Sequence, residues 1–167
     1  VNFSFNKDNT IASDFVIKDG MDISICVIDK LTNKLEYAGA YNSLYLYRNK
    51  EHVIESIEPQ MSNETSVFYE TKSNKMKVGG GNNKKDYTSH SVQLLKNDTI
   101  YLFTDGYVDQ FGGAKGKKFM YKPFKRMLLS IQSETMEDQY ASLDKTLNDW
   151  KGKFTQLDDI CVMGVRV

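Results

Sequence analysis

The hydrophobic and polar positions in the first third of the chain follow the two-residue period of β-strands. Strands are predicted at 22–29, 35–40 and 43–48, with Asn and Gly residues in the short connections between them. Such close spacing predicts an antiparallel meander, which 52–57 could extend. Residues 59–85 are predicted to be the least regular part of the chain, because proline, asparagine and glycine interrupt them repeatedly.

Two further strands are predicted at 89–95 and 98–104, pairing across Lys96-Asn97. After a glycine-rich loop at 111–117, the apolar residues change to the spacing of an amphipathic helix. A first helix is predicted to begin near Pro123, with an apolar face formed by Phe124, Met127, Leu128 and Ile131. A second is predicted to begin at Thr135 and end at Gly152, with a core-facing stripe of Met136, Tyr140, Leu143, Leu147 and Trp150.

The chain returns to β structure over 153–167, so strands precede two consecutive helices and one last strand. This order predicts an α+β architecture rather than alternating βα units. A length of 167 residues fits a single domain, with 1–20 as a weakly patterned leading segment. The last strand is predicted to lie beside the 99–104 strand.

Composition narrows the function classes. Twenty-two basic residues balance twenty-two acidic ones, which gives no support for nucleic-acid binding or direct membrane contact. The basic runs Lys84-Lys85 and 115–118 are interpreted as solvated loops. Cys26 and Cys161 lie in apolar runs and are predicted to be buried free thiols of a cytoplasmic protein. No apolar run approaches the length of a membrane span.

Acidic residues stand at the tips of two apolar strands. Asp105 and Gly106 follow the run 100–103, and Asp158-Asp159 directly precede the run 160–165. Adjacent strands would bring Asp105 and Asp158 together, and Mg²⁺ or Mn²⁺ prefers such rigidly held oxygen ligands. The alternative is that Asp-Gly is only a turn and that Asp158-Asp159 only marks the start of a strand.

These segments resemble motifs of the SpoIIE-type phosphatases, bacterial relatives of the type 2C metal-dependent protein phosphatases. Leu94–Gly106 resembles their L-x-x-G-D-x-L-x-L-Y-T-D-G segment, and Asp158–Arg166 is similar to their terminal D-D-x-T-x-x-x-x-R strand. Leu35–Arg48 resembles their L-x-Y-A-N-A-G-H-N-P-x-L-L hairpin, and Lys75–Gly79 takes the place of a Met-Pro-Ile-Gly loop. The resemblance spans about residues 20–167, with the motifs in the family's order.

The resemblance implies an antiparallel β-sandwich flanked by helices. It implies hydrolysis of phosphoserine or phosphothreonine in a regulatory protein, such as an anti-sigma-factor antagonist, by a water that two Mn²⁺ or Mg²⁺ ions activate. Asp105 and Asp158 match metal ligands, and Gly106 would let the backbone turn close to the metals. Asp159 would lie behind the ligands or cap the strand. Three further residues fall on site-facing segments without a ligand role: Asp22, Asn42 and Asp109.

One motif of the family is missing. No D-x-x-G-H-G segment occurs, and the only histidines are His52 and His90. We therefore expect this chain to be the C-terminal part of a domain, to hold one weakly bound ion or none, and to be inactive alone. Two cations need a bridging carboxylate to offset their repulsion. An incomplete domain should also expose sheet edges, so a homodimer through such an edge is expected.

Two alternatives stay open at this stage. A phosphatase-like domain without the missing motif could bind a phosphoprotein without hydrolysing it. An unrelated α+β structural protein would show no proximity between Asp105 and Asp158. The sequence leaves open the choice between Mn²⁺ and Mg²⁺, the substrate protein, and any sensor domain that would tether the parent protein to a membrane.

Overall fold

A computed structural model describes residues 20–79 and 86–167 as two antiparallel sheets with helices against one of them. Most of the predicted leading segment and the Lys84-Lys85 run lie outside these residues. The strands are β1 (Ile23–Asp29), β2 (Lys34–Ala40), β3 (Leu44–Asn49), β4 (Met61–Ser62), β5 (Ser66–Thr71), β6 (His90–Gln93), β7 (Thr99–Phe103), β8 (Phe111–Gly112), β9 (Lys117–Lys118) and β10 (Val162–Arg166). The helices are α1 (Gly106–Asp109), α2 (Tyr121–Ser130) and α3 (Met136–Lys151), with a 3₁₀ turn at Lys50–His52.

The strands are divided between the sheets in a way that local spacing did not predict. One sheet has the order β1-β2-β6 and the other β10-β7-β3-β5-β4, while β8 and β9 form a small hairpin. The predicted meander is therefore wrong after β2, because β3 crosses into the second sheet. The predicted pairing of 89–95 with 98–104 is also wrong, since β6 pairs with β2 and β7 pairs with β3 and β10. A short connection constrains two strands to be near each other, and here it joins two layers of a sandwich.

The region 59–85, predicted to be least regular, contains β5, an interior strand of the five-stranded sheet. β5 pairs with β3 over six residues and with β4 on its other side. Its sequence, Ser-Val-Phe-Tyr-Glu-Thr, is rich in β-branched and aromatic residues. The turn-forming residues on both sides of β5 led to the prediction of irregular structure, although the strand itself has an ordinary β-strand composition.

The five-stranded sheet is buried on both faces, which the alternation along β3 shows. Tyr45 and Tyr47 join Phe68, Tyr101 and Phe124 in a cluster beneath the helices. Leu44 and Leu46, which point the other way, pack with residues of both sheets in a second cluster that includes Leu35, Tyr37, Val67, Tyr69 and Ile100. The second cluster is the interior of a β-sandwich, so the predicted α+β sandwich flanked by helices is confirmed.

Both predicted helices are confirmed, with one error on the second. The Thr135 side chain accepts a hydrogen bond from the Asp138 backbone N–H as the N-cap of α3, and Gly152 ends the helix with φ +52°. Tyr140 is 73% exposed, so its predicted place in the core is wrong. Gln139 is buried instead and accepts a hydrogen bond from the Tyr101 hydroxyl. A prediction based only on apolar residues at helical spacing therefore misses a polar residue that is buried together with its hydrogen-bond partner.

A buried ion pair lies where the two sheets meet. Arg48 at the end of β3 donates from Nε and one Nη to the Asp98 carboxylate, at 3.0 Å and 2.6 Å. The same guanidinium nitrogen donates to the Gln93 carbonyl oxygen, and Asp98 also accepts from the Leu95 N–H. Because Gln93 belongs to β6 and Arg48 to β3, this network connects one sheet to the other.

We expect stability to fall in alkaline solution because several tyrosines are buried. Burial raises the pKa of the Tyr37 hydroxyl to about 12, while an unfolded chain ionises tyrosine near about 10. Between these values the unfolded chain has lost a proton that the native chain retains. Stability is thus intact below pH ~10 and falls above it, by about 1.4 kcal/mol per pH unit from Tyr37 alone. Burial also raises the pKa of four further tyrosines: Tyr45, Tyr47, Tyr101 and Tyr107.

Urea unfolding at stepped pH, followed by circular dichroism, measures this slope. The Tyr37→Phe variant should show a shallower decline above pH ~10 than the unaltered chain. A free energy of unfolding that stays constant between pH ~10 and ~12 in the unaltered chain would contradict the burial argument.

Candidate metal site and adjoining cleft

The ends of β7 and β10 form the frame of the candidate site. The two strands pair antiparallel, with Val162 opposite Phe103, and the Thr104 N–H donates to the Cys161 carbonyl oxygen at 3.0 Å. The predicted adjacency of these strands is confirmed. Cys161, however, is exposed, so its predicted burial is wrong. Cys161 directly precedes β10, which is an edge strand of the five-stranded sheet.

The turn after β7 is fixed against the segment before β10. The Thr104 hydroxyl donates to the Asp159 carbonyl oxygen at 2.8 Å and accepts from the Cys161 N–H at 2.9 Å. Gly106 lies directly against the same peptide: a Cβ at this position would stand 2.9 Å from the Asp159 carbonyl carbon. Only glycine permits this approach, so Gly106 and the Thr104 hydroxyl together set the distance between the two acidic segments.

The two carboxylates predicted as metal ligands are both exposed at this strand end. Asp105 caps the short helix α1 without a hydrogen bond from its side chain to the helix. Asp158 accepts from the Asp159 N–H through Oδ1 at 2.7 Å, and no described donor bonds its Oδ2. Asp159 is exposed, and its backbone carbonyl oxygen accepts the hydrogen bond from the Thr104 hydroxyl. This contact is consistent with the predicted position behind the metal ligands.

A hollow of about 160 Å³ joins the two acidic segments. Gly106 and Asp158 line it together with Asp109, Gln110, Phe111, Lys118 and Leu157. Asp109 is paired there with Lys118, whose Nζ lies 2.7 Å from Oδ2. Asp22 is exposed just before β1 and does not line the hollow. The structure therefore brings Gly106, Asp158 and Asp109 to one place, with Asp105 next in sequence to Gly106.

This donor set fits one partly hydrated ion better than two. Within 20–79 and 86–167, no group of three His, Cys, Asp or Glu side chains is arranged to hold a metal. Mg²⁺ and Mn²⁺ are hard cations that accept carboxylate and water oxygens together, and Mg²⁺ commonly binds through one or two carboxylates. Asp105 and Asp158 supply carboxylates of that kind, and Asp109 is already paired with Lys118.

Sequence reasoning missed Tyr121, the first residue of α2. Burial raises the pKa of its hydroxyl, and the Asp105 and Asp109 carboxylates raise it further. Tyr121 begins the helix that packs through Phe124 against Phe103, the last residue of β7. No motif indicated this residue, because only the packing of α2 against the end of β7 brings it there.

Tyr121 also lines a second, larger cleft of about 560 Å³. Its lining residues are Tyr41, Asn42, Ser43, Tyr45, Glu70, Lys72, Ser73, Lys75, Phe103, Tyr121 and Lys125. Asn42, predicted to face the site, thus lies in this cleft. Its carbonyl oxygen accepts from the Ser24 and Tyr37 hydroxyls at 2.8 Å and 2.5 Å, which fixes the β2–β3 connection.

The chain belongs to the family described as Stage II sporulation protein E (SpoIIE), whose sequence model matches residues 7–167. This membership and the folds below establish a domain of the SpoIIE type, related to the PP2C phosphatases, so the family resemblance seen in the sequence is confirmed. The family indicates a protein phosphatase and, in general terms, dependence on metal. No curated protein matches the sequence.

Solved structures give the same fold. The SiaA-PP2C domain of Pseudomonas aeruginosa superposes with a TM-score of 0.72 and 28% identity, over 89% of this chain and 52% of that one. The phosphatase domain of the cell fate determinant SpoIIE from Bacillus subtilis, presoaked in Mn, gives 0.58 and 13%, over 87% and 56%. The PP2C phosphatase domain of the same protein with a fragment of its regulatory domain gives 0.62 and 14%, over 87% and 38%.

The chain spans about half the length of the first two of these structures. Among the residues that the structure describes, no helix is both long and apolar enough to cross a membrane.

Proposed function

We propose that this chain is the C-terminal part of a metal-dependent protein serine/threonine phosphatase domain, acting on a phosphorylated regulatory protein in bacterial signalling. The observation that carries the proposal is the placement of two exposed acidic segments at neighbouring strand ends in a chain of this family. Asp105 follows β7 and Asp158 precedes β10, and Thr104 joins the two segments.

The proposed chemistry assigns a task to each residue. Asp105 and Asp158 would hold Mn²⁺ or Mg²⁺, and Gly106 would keep the backbone clear of the ion. A bound divalent ion supplies an activated water and neutralises charge on the phosphoryl oxygens. Thr104 fixes the relative position of the two carboxylates through its two hydrogen bonds. Positioning of this kind contributes to phosphoryl transfer because the protein needs little covalent chemistry of its own.

We further propose that the chain is inactive, or nearly so, by itself. It contains no Gly-His-Gly segment, and its described residues offer two carboxylates where two ions would need a bridging ligand as well. The same observation favours a second candidate function, a non-catalytic phosphatase-like module that binds a phosphoprotein. The two candidates differ in whether Asp105 and Asp158 bind metal.

Calorimetric titration of Mn²⁺ into the purified chain tests the proposed site. We expect one weak binding event that Asp105→Asn and Asp158→Asn each abolish, because each change removes a charged oxygen ligand. Glu64→Gln is the matched control: it removes one exposed carboxylate on the turn between β4 and β5, at the opposite edge of the five-stranded sheet from β10. A phosphoserine peptide assayed in parallel should show no turnover.

Two results would decide against parts of this proposal. Binding that persists in both aspartate variants would place the ion elsewhere, and absence of any binding in the unaltered chain would favour the non-catalytic module. Mn²⁺-dependent peptide hydrolysis by the unaltered chain would contradict the proposed inactivity.

A further inference from the structure

The 560 Å³ cleft beside the candidate metal site has a chemical character that the proposed phosphatase reaction does not explain. Its walls are aromatic, formed by Tyr41, Tyr45, Phe103 and Tyr121. Its polar groups include three lysines, Lys72, Lys75 and Lys125, against one carboxylate, Glu70. A concave, partly aromatic surface with an excess of positive charge favours an anionic ligand.

Glu70 does not cancel this excess, because it is already paired. The Glu70 carboxylate lies 2.8 Å from Lys125 Nζ, and both side chains are mostly buried. Lys125 Nζ also stands 5.2 Å and 5.5 Å from the ring centroids of Tyr45 and Phe68, within the range of cation–π interaction. Among the described residues, Lys72 and Lys75 have no carboxylate partner and are exposed. Two charges are thus available to a ligand.

One wall of the cleft, at Tyr41, is held in an uncommon backbone conformation. Tyr41 has φ +60°, a region that bulky residues seldom occupy. Its N–H donates to the Asn74 carbonyl oxygen at 2.9 Å, which ties the wall to the segment between Lys72 and Lys75. The Tyr41 side chain is nevertheless half-exposed in the cleft. Backbone strain of this kind persists where the surrounding structure over-determines it, as at sites that bind ligands.

The cleft lies close to Asp105, one of the candidate metal ligands. Phe103 lines it and is two residues before Asp105, and two residues of chain span at most about 7 Å. Tyr121, the first residue of α2, lines it too. A peptide whose phosphoserine sits at Asp105 would therefore place residues about two to four positions away in this cleft.

We propose that the cleft binds the peptide segment flanking the phosphorylated residue, and that Lys72 and Lys75 select substrates with acidic residues about two to four positions from the phosphoserine. This inference rests on the proposed phosphatase function for the orientation of the peptide. It assigns to the cleft a role in substrate selection that is separate from metal binding.

Fluorescence anisotropy of short labelled phosphoserine peptides tests the proposal in the absence of metal. One peptide carries aspartates at the flanking positions and the other carries asparagines there. We expect the aspartate peptide to bind about tenfold more tightly, and the Lys72→Glu/Lys75→Glu variant to lose that difference. The control, Lys30→Glu/Lys96→Glu, makes the same charge change at exposed positions near the far end of β2 and should retain it.

Equal affinity for the two peptides, or an equal loss in both double variants, would overturn the proposal. The readout is independent of the metal titration: loss of the Asp105 site with selective peptide binding intact would refute the phosphatase chemistry alone. Conversely, Mn²⁺ binding without charge-selective peptide binding would refute the role of the cleft alone.

Discussion

Replacing Asp98 with alanine is expected to lower the free energy of unfolding by about 3–5 kcal/mol. The substitution would leave the Arg48 guanidinium charged, 6% exposed and without its carboxylate. It would also remove the acceptor of the Leu95 N–H. An unpaired buried charge costs more than the pair itself contributes, because its desolvation is no longer compensated. Equilibrium denaturation with urea measures the change.

The matched control is Glu36→Ala, which breaks an exposed pair with Lys34. Both side chains of that pair are at least half exposed, so the change should stay within about 0.5 kcal/mol. Replacing both buried partners, as Arg48→Met/Asp98→Leu, should recover much of the loss, since no charge remains buried. A loss below about 1 kcal/mol in Asp98→Ala would show that water reaches Arg48 and that the network does not hold the sheets together.

The position of this pair explains why the division into two sheets was not predictable from local pattern. Asp98 lies between β6 and β7, directly after the Lys96-Asn97 turn that was expected to join two paired strands. Its carboxylate instead binds an arginine about fifty residues earlier, and that arginine also binds the β6 backbone. The alternation of apolar residues identified most of the long strands but not β5, and partner choice depends on contacts that only the folded sandwich forms.

The candidate site shows the same division between local and distant information. Asp105, Gly106 and Asp158 could be proposed from sequence because each sits at a strand tip with a distinctive neighbour. Sequence could not predict that Tyr121, the Asp109–Lys118 pair and the 560 Å³ cleft lie near these residues. The elements that carry them, α2, β9 and the loop after β5, reach the site only through packing. The error at Tyr140 has a related cause. Helical spacing of apolar residues predicted that Tyr140 faces the core, but the neighbouring Gln139 is the buried residue, and it accepts a hydrogen bond from Tyr101.

Packing beneath the site leads to the second large effect, at Phe124. The ring is fully buried, with centroids 5.1 Å from Phe103 and 4.8 Å from Tyr107. We expect Phe124→Ala to lower the free energy of unfolding by about 3–5 kcal/mol, the usual cost of removing a buried phenylalanine from a core. Urea unfolding measures it. Tyr140→Ala is the control, since that ring is largely exposed and should cost about 0.5 kcal/mol or less.

The same substitution should weaken metal binding without touching a ligand. Phe103 and Tyr107 are the residues two before and two after Asp105, so Phe124 supports both ends of the turn that presents the carboxylate. A cavity at Phe124 would let this turn move, and a carboxylate that must be reordered binds an ion less tightly. Calorimetry under conditions where Phe124→Ala is still folded should therefore show weaker Mn²⁺ binding than in Tyr140→Ala. Unchanged binding despite the loss of stability would mean that Thr104 and Gly106 alone position Asp105.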